Sequence, residues 1–521
     1  MAETKREIER KYEADTAEKS GLPDLSGITG VATVRDEGTD ELDAVYYDTQ
    51  DLRLAACNIT LRRRTGGSDA GWHLKLPVAE DVRDEIHAPL GDTLTLPGVL
   101  RDLVRARTRD AALIPVVRLV STRELRHLLD ASDTLLAEVS LDRVVAERLT
   151  DGGNSADWTE IEVELAAGGD PKFLDKVAKK LRKGLGSLRR AESPSKLARA
   201  LAETGQGAPA VLAPPSGAVP GTAGGEVMAY LRAQYETILS RDAGVRRGVP
   251  DSVHRMRVAI RRSRSVLRSH RSVLDRNVTD PLRAELKWLA GELGVDRDQE
   301  VLDARLRGLV AAVPGPLLLG PVDARLTVWS VATSTRSSAT ASEALGSARY
   351  LTLLAALEEF LTAPPLRPAA HKSPAKVLPK AVAKDHGRLT ARMDHARSLP
   401  EGEERTAAMH EARKAAKRAR YTAEAARPAL GKPAKRYAKR AKALQSLLGE
   451  HHDSKVTREA LRTLAVQAHG SGETAFTWGL LYGREEQRAA EYERELPGVW
   501  GKVASLKPER KVAPLKPKKK D

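Results

Sequence analysis

In the segment Trp158–Leu165 three glutamates, Glu160, Glu162 and Glu164, alternate with Ile161, Val163 and Leu165, and the chain opens with a similar run in which Glu7, Glu9 and Lys11 occupy every second position. Strand side chains point to opposite faces with period two, so each run predicts a strand with its charges on one face. Further strand-like runs lie at Val45–Asp48, Ile59–Arg64, Gly71–Leu76, Val116–Val120 leading into TRELRHLL, and Leu135–Val144, with Gly66-Gly67 as a turn. Short spacing and hairpin turns predict an antiparallel barrel or sandwich over residues 1–165. Arg62 and Arg64 share a face, as do His73 and Lys75. An exposed sheet face would account for the glutamates alone; a charged barrel interior accounts for all four rows together. Lys172–Leu185 and Ser193–Glu203 read as helices, the first with Lys172, Lys176, Lys179 and Lys183 on a solvated face.

Residues 204–224, TGQGAPAVLAPPSGAVPGTAG, form a Pro/Gly/Ala/Ser linker with almost no charge. From Glu226 onward the pattern is helical throughout. This half repeats itself: His254, Arg257, Arg261, Arg262 and Arg264 align with His410, Arg413, Lys417, Arg418 and Arg420, 156 residues on, and Lys287–Asp298 aligns with Lys442–Asp453 at an offset of 155. Matched halves predict a duplicated helical bundle with a pseudo-two-fold. The tail, residues 506–521, is basic and has too little apolar content to fold.

Composition then narrows the classes. A chain of 521 residues suggests two or three domains. The one cysteine, Cys57, excludes an internal disulfide and fits a reducing cytosol. The N-terminus has no apolar signal region, and no run of ~20 apolar residues predicts a membrane span. Residues 1–200 carry a net charge of −5 and residues 201–521 one of +20, so the second half is expected to meet a polyanion. Aromatics make up only 4% of the chain, which argues against single-stranded nucleic acid because such binders use stacking platforms.

The charged rows carry the chemistry. Enclosed carboxylates suit a divalent metal, enclosed cations suit a polyanion, and both together indicate metal-assisted phosphate chemistry. In the helical half His254, Arg257, Arg261 and Arg264 fall at i, i+3, i+7 and i+10, one helix face, and His410, Arg413, Lys417 and Arg420 repeat it. Like charges at such spacing repel, so keeping the stripe twice indicates an anion to bind. The two histidines are expected to act as imidazolium donors to phosphate rather than as metal ligands.

Glu7, Glu9 and Lys11 match the ExExK signature of the CYTH superfamily, the triphosphate tunnel metalloenzymes. The match continues through LRRR, WHLKLP, VRDE, TRELR, LDRV and WTEIEVEL, over roughly residues 1–203. Residues 225–505 resemble the CHAD domain, the conserved-histidine α-helical domain, on the two His-x-x-Arg copies, and the whole resembles bacterial inorganic triphosphatases. The resemblance implies a multidomain protein: an N-terminal antiparallel β-barrel tunnel of eight strands with flanking helices (α+β), and a C-terminal all-α duplicated helical bundle. It further implies that Lys11, Arg62, Arg64, Lys75, Arg118 and Arg123 cradle phosphate oxygens, with Lys196 near the tunnel mouth. Glu7, Glu9, Glu162 and Glu164 would ligate Mg²⁺ or Mn²⁺, with Glu85 and Asp142 as further candidates. The helical half would bind long-chain inorganic polyphosphate through the two stripes, with Arg262, Lys287, Arg297, Arg418 and Lys442 contributing, in a cytoplasmic protein that can sit at polyphosphate granules.

The implied activity is hydrolysis of inorganic triphosphate to pyrophosphate and phosphate, with Glu160, Glu162 and Lys11 as the catalytic candidates and a carboxylate of the Glu160–Glu164 row taking the proton of the attacking water. Two other readings stand beside it: a tunnel enzyme for a nucleotide or thiamine triphosphate, and a polyphosphate-binding scaffold without catalysis.

Overall fold

The computed structural model describes residues 3–13, 21–91, 95–150, 152–205, 212–334 and 337–506, without the side chains of 295–300, 332–334 and 337–340. The expected disordered tail therefore lies almost wholly outside the described residues, and so does part of the linker. The chain divides into two compact units, Met1–Val211 and Leu212–Asp521.

The first unit is a closed antiparallel barrel of eight strands: β1 (Glu3–Glu13), β2 (Thr33–Asp48), β3 (Thr60–Thr65), β4 (Gly71–Ala79), β5 (Val82–Ala88), β6 (Ile114–Leu129), β7 (Leu135–Arg148) and β8 (Ser155–Leu165). The sheet runs β5-β4-β3-β2-β6-β7-β8-β1 and closes because β1 pairs with β8 over one half of its length and with β5 over the other. Helix α1 (Gly98–Thr108) lies between β5 and β6; α2 (Lys172–Leu185), a two-residue β9 (Arg189–Arg190) and α3 (Lys196–Glu203) follow β8. The sequence pattern missed α1, the first half of β2 and the full extent of β5. Gly66, at φ +80°, makes the β3–β4 turn: a Cβ there would lie 2.1 Å from the carbonyl oxygen of Glu41, so only glycine fits.

The alternation puts the apolar core outside the barrel wall. Ile161, Val163 and Leu165 of β8, Val139 and Leu141 of β7 and Tyr12 of β1 pack against Leu174, Val177, Leu181 and Leu185 of α2. Lys172, Lys176, Lys179 and Lys183 face solvent on the other side of that helix, as expected. At one end the inward rows turn apolar, and Ala44, Leu119, Val144, Ala146 and Trp158 pack with Leu197, Ala200 and Leu201 of α3. The rest of the interior is charged.

The second unit is helical: α4 (Ala223–Arg246), α5 (Ser252–Ser269), α6 (Arg276–Glu292), α7 (Gly294–Ala311), α8 (Val322–Ser334), α9 (Ser337–Gly346), α10 (Ala348–Thr362), α11 (Pro374–Ser398), α12 (Glu403–Ala425), α13 (Arg427–Leu430), α14 (Lys432–Gly470) and α15 (Phe476–Ala504). The repeated stripes lie on α5 and α12. No helix among the described residues is long and apolar enough to cross a membrane.

Candidate functional site

Cross-strand register assembles the barrel site. Lys11 of β1 stands opposite Glu162 of β8, Glu9 opposite Glu164, Glu7 opposite Arg83 of β5, and Arg123 of β6 opposite Asp142 of β7. The resulting cavity is lined by Glu7, Glu9, Lys11, Tyr46, Thr60, Arg62, Arg64, Asp69, Lys75, Arg83, Glu85, Arg123, Glu162, Glu164, Ser195 and Lys196. Buried ions need partners, and here most of those partners come from neighbouring strands. Lys75 Nζ lies 2.7 Å from Glu7 and 3.8 Å from Glu85. Lys11 Nζ lies 2.5 Å from Glu162 and 3.6 Å from Glu9. Arg123 grips Asp142 with two bonds of 2.6 Å and reaches Glu162 at 2.7 Å. Arg64 pairs with Asp69.

Lys196, in the first turn of α3, is only 8% exposed. Its Nζ lies 2.8 Å from Asp142, 2.7 Å from Glu160 and 2.6 Å from Glu162. Those carboxylates offer oxygens within 4.8 Å of one another, a group that could hold a metal ion. Hard oxygen donors of this kind fit Mg²⁺ or Mn²⁺, and the ammonium stands where such a cation would. Lys196 is thus at the plugged inner end of the barrel, not near its mouth as the resemblance implied. Glu160 and the fully buried Asp142 sit behind Lys196 and do not line the cavity; Glu160 also accepts from Trp158 Nε1 at 2.8 Å. That placement removes Glu160 from the water-facing carboxylates. Arg118 is a second correction. Inward residues of β6 are odd-numbered (Val117, Leu119, Ser121, Arg123), so Arg118 faces out, exposed and bonded to Asp43 at 2.7 Å and 3.0 Å.

Electrostatics divides the carboxylates. Burial pushes Glu7 up to about 8, with Lys75 opposing and the neighbouring Glu85 reinforcing. Burial would also raise Glu162 and Asp142, but Lys196 and Arg123, with Lys11 at Glu162, outweigh it and hold both below the usual carboxylate range. Burial, then Arg62 and Arg123, pulls Arg64 down to about 9, a sign of surplus positive charge at that end. His73, pushed down to about 4 mainly by burial, is neutral. Its ring nitrogens nevertheless face two acceptors, Glu85 at 2.8 Å and the Asp69 carbonyl at 2.9 Å. A neutral ring donates to only one of them. Arg83 was missed by the sequence reading, although its position two residues before Glu85 puts it on the same strand face.

In the helical unit a cavity of about 720 Å³ opens between α5, α6, α11 and α12. Arg261, Arg264 and Arg268 (α5), Arg283 (α6), Arg388 and Arg392 (α11), and Lys414, Lys417 and Arg418 (α12) line it, against one acid, Glu411. Burial and neighbouring guanidinium groups lower Arg264, Arg268 and Arg418, and push Lys417 down to about 8. At the cavity's edge, Asp385 of α11 is 1% exposed and takes bonds from Ser269 (2.5 Å), Thr422 (2.7 Å) and Arg388 (3.0 Å), with Arg418 at 3.3 Å. One carboxylate thereby ties α5, α11 and α12.

The stripes are only partly gathered. Arg261, Arg264, Lys417 and Arg418 line the cavity. Arg257 and Arg413 lie against Gly294 and Gly449, whose added Cβ atoms would stand 3.2 Å and 3.4 Å from the two guanidinium groups; the aligned glycines serve the aligned arginines. Arg262 and Arg420 turn instead to Glu424, and Lys287, Lys442 and His254 are exposed, so none of these five lines the cavity. Arg297 falls among side chains outside the described residues. The His410 ring lies 4.5 Å from that of His452, tilted by 43°, and is pushed down to about 4 by burial, then by His452, so without an anion it is not the expected imidazolium. Arg283, Arg388 and Arg392 were missed because they lie outside the repeated motif.

Family models match this chain at two places: the CYTH domain over residues 5–201 and the CHAD domain over residues 229–462. The uncharacterized protein MT2285 of Mycobacterium tuberculosis (strain CDC 1551 / Oshkosh) is 36% identical over 515 residues, 95% of this chain and 96% of that one. The uncharacterized protein Rv2226 of strain H37Rv matches to the same extent. Among solved structures, the CHAD domain from the plant Ricinus communis matches at 25% identity and TM-score 0.43, over 56% of this chain and 96% of that one. PptA from Streptomyces chartreusis matches at 21% and 0.43, over 54% and 99%.

Proposed function

This chain belongs to the CYTH–CHAD family, and from that premise we propose that its barrel hydrolyses inorganic triphosphate while its helical unit binds inorganic polyphosphate. The observation that carries the reading is the tunnel lining: Lys11, Arg62, Arg64, Lys75, Arg83 and Arg123 converge on one enclosed lumen, interleaved with Glu7, Glu9, Glu85, Glu162 and Glu164. A triphosphate entering it exchanges carboxylate partners of these cations for phosphate oxygens. Arg62 and Arg64 present planar forks suited to two oxygens at once, and the lysines act as point charges. Glu162 and Glu164 face the cavity, where a carboxylate can orient the attacking water and accept its proton. Glu9, Glu162 and Glu164 line the cavity and would be the oxygen donors for Mg²⁺ or Mn²⁺, which when bound would supply Lewis-acid neutralisation of phosphate charge, while Asp142 and Glu160 are held by Lys196. Positioning and charge neutralisation are most of what phosphoryl transfer requires.

The lining favours an inorganic substrate over a nucleotide or thiamine triphosphate. Among the described residues its one aromatic ring is Tyr46, buried, with its hydroxyl accepting from Arg62 at 3.4 Å, so it offers no stacking platform. The test is phosphate release from tripolyphosphate, ATP and thiamine triphosphate side by side, with and without Mg²⁺ or Mn²⁺. The reading expects metal-dependent turnover that favours tripolyphosphate; preference for ATP or thiamine triphosphate moves the substrate, and no turnover of any of the three leaves the scaffold reading.

A further inference from the structure

We propose that Lys417 is a covalent acylation site for small acyl phosphates, with the basic cavity of the helical unit as the receptor that delivers the reagent. The proposal rests on reading that cavity as a phosphate site, and adds to it a nucleophile.

Two lysines line the cavity, and they differ. Lys414 is exposed, with its ammonium on Glu411 at 2.7 Å. Lys417 is half-buried, and among the described residues its ammonium has no ion-pair partner within 4 Å, although Asp453 exerts a weaker attraction. The charges acting on it are instead mostly cationic: Arg413 and Arg261, then Arg257. Crowded cations relieve repulsion when one of them gives up its proton. Guanidinium groups do not do so near neutral pH; a lysine can. Burial and these arginines accordingly push Lys417 down to about 8, so a substantial share of its amine is unprotonated where an ordinary lysine is almost wholly charged. The cavity thus pairs a phosphate-attracting wall with a nucleophilic amine.

An acyl phosphate fits both features, since its phosphoryl group is anionic and its electrophilic carbonyl carbon is one bridging anhydride oxygen away. With the phosphate against Arg261 and Arg418, the neutral Nζ of Lys417 attacks the carbonyl carbon. A C–N bond forms, the carbon–oxygen bond to phosphate breaks, and inorganic phosphate leaves with the electron pair and takes up the proton lost by nitrogen. The product amide carries no charge, so acylation removes one cation from the cavity and weakens its hold on polyanions.

The experiment incubates the full-length protein with acetyl phosphate at about pH 8 and follows each lysine by peptide mass spectrometry. Lys417 is expected to react roughly tenfold or more faster than exposed Lys442 and Lys287, from its larger free-amine fraction alone. With EDTA present, so that the metal-dependent barrel does not consume it, tripolyphosphate, which occupies the cavity without acylating, should slow Lys417 and leave Lys442 unchanged. Arg261→Gln should slow Lys417 as well. Reaction at Lys417 no faster than at Lys442 overturns the proposal, as does a fast reaction indifferent to tripolyphosphate, since that amine would be reactive without a phosphate receptor. Polyphosphate binding by the untreated protein, measured separately, keeps the two readings apart: binding with an inert Lys417 sinks acylation alone, whereas no binding with a tripolyphosphate-protected Lys417 sinks the polyphosphate reading alone.

Discussion

Replacing Lys196 by methionine tests the arrangement on which the barrel site depends. The side chain keeps its volume and loses its charge, leaving Asp142, Glu160 and Glu162 with oxygens within 4.8 Å of one another, Arg123 as the remaining cation on Asp142, and Arg123 and Lys11 as those on Glu162. Removing one partner from a buried ion cluster costs about 3–5 kcal/mol. At roughly 2–4 °C per kcal/mol for a domain of this size, the barrel's thermal transition in the full-length protein should fall by roughly 10 °C. The loss should depend on pH with a definite sign. Like charges raise carboxylate pKa values, so in Lys196→Met at least one of the three titrates above its unfolded value. A raised carboxylate pKa means that stability falls as pH rises from the unfolded value, ~4, towards the folded one, so the deficit should be small near pH 5 and large near pH 8. Mg²⁺ or Mn²⁺ can occupy the position vacated by the ammonium, and binding to the folded state alone adds stability; either ion should raise the variant's midpoint more than that of the wild type. Calorimetry at the two pH values, with and without metal, checks all three. A Lys196→Met protein as stable as the wild type at pH 8, or one equally weakened at both pH values, would refute the insertion of Lys196 among these carboxylates.

Arg118→Gln should leave tripolyphosphate turnover and thermal stability near wild type, because its pair with Asp43 is exposed and screened by solvent, whereas Arg123→Gln should lose most turnover; steady-state kinetics on the two variants decides. Asp385→Asn adds net positive charge beside the basic cavity yet should weaken polyphosphate binding, since it unties Arg388 and Arg418; tighter binding at constant ionic strength would make the carboxylate a mere charge balance. Polyphosphate binding should strengthen as pH falls from 9 to 7: the anion raises the pKa of Lys417 from its free value of about 8, so complex formation takes up protons, and titration calorimetry in two buffers of different ionisation enthalpy measures that uptake.

Much of the barrel was legible because strand periodicity is strict. Once Glu7, Glu9 and Lys11 are placed on one face, Ile8 and Tyr12 must lie on the other, and the same arithmetic held at β3, β4 and β8. It also contained its own correction: Arg118 and Arg123 differ in parity, so one regular strand cannot turn both inward. The resemblance to a family supplied the pair; the pleat allowed one of them. The first half of β2 was missed for the opposite reason, since Thr33–Asp43 is largely exposed and carries no alternation to read, whereas α1 buries Leu100, Leu103 and Val104 at helical spacing and was there to be read.

What the sequence withholds is which charges compensate one another. Nothing in the sequence pairs Lys196 with its three carboxylate partners, which come from β7 and β8 and meet it through a plug helix that follows them in the chain. In the bundle, Arg261 and Arg262 are adjacent and indistinguishable as letters, but about 100° apart on α5; one faces the cavity and the other Glu424 of α12. Asp385 carries no motif and sits where three helices meet. Spacing therefore identifies which residues share a face, and only the packed structure shows which of those faces still has charge to offer a ligand. By that criterion the cavity lined by Arg264, Arg268, Lys417 and Arg418, all pulled down by burial and neighbouring cations, is a place among the described residues where positive charge goes largely uncompensated and a polyanion would gain from binding.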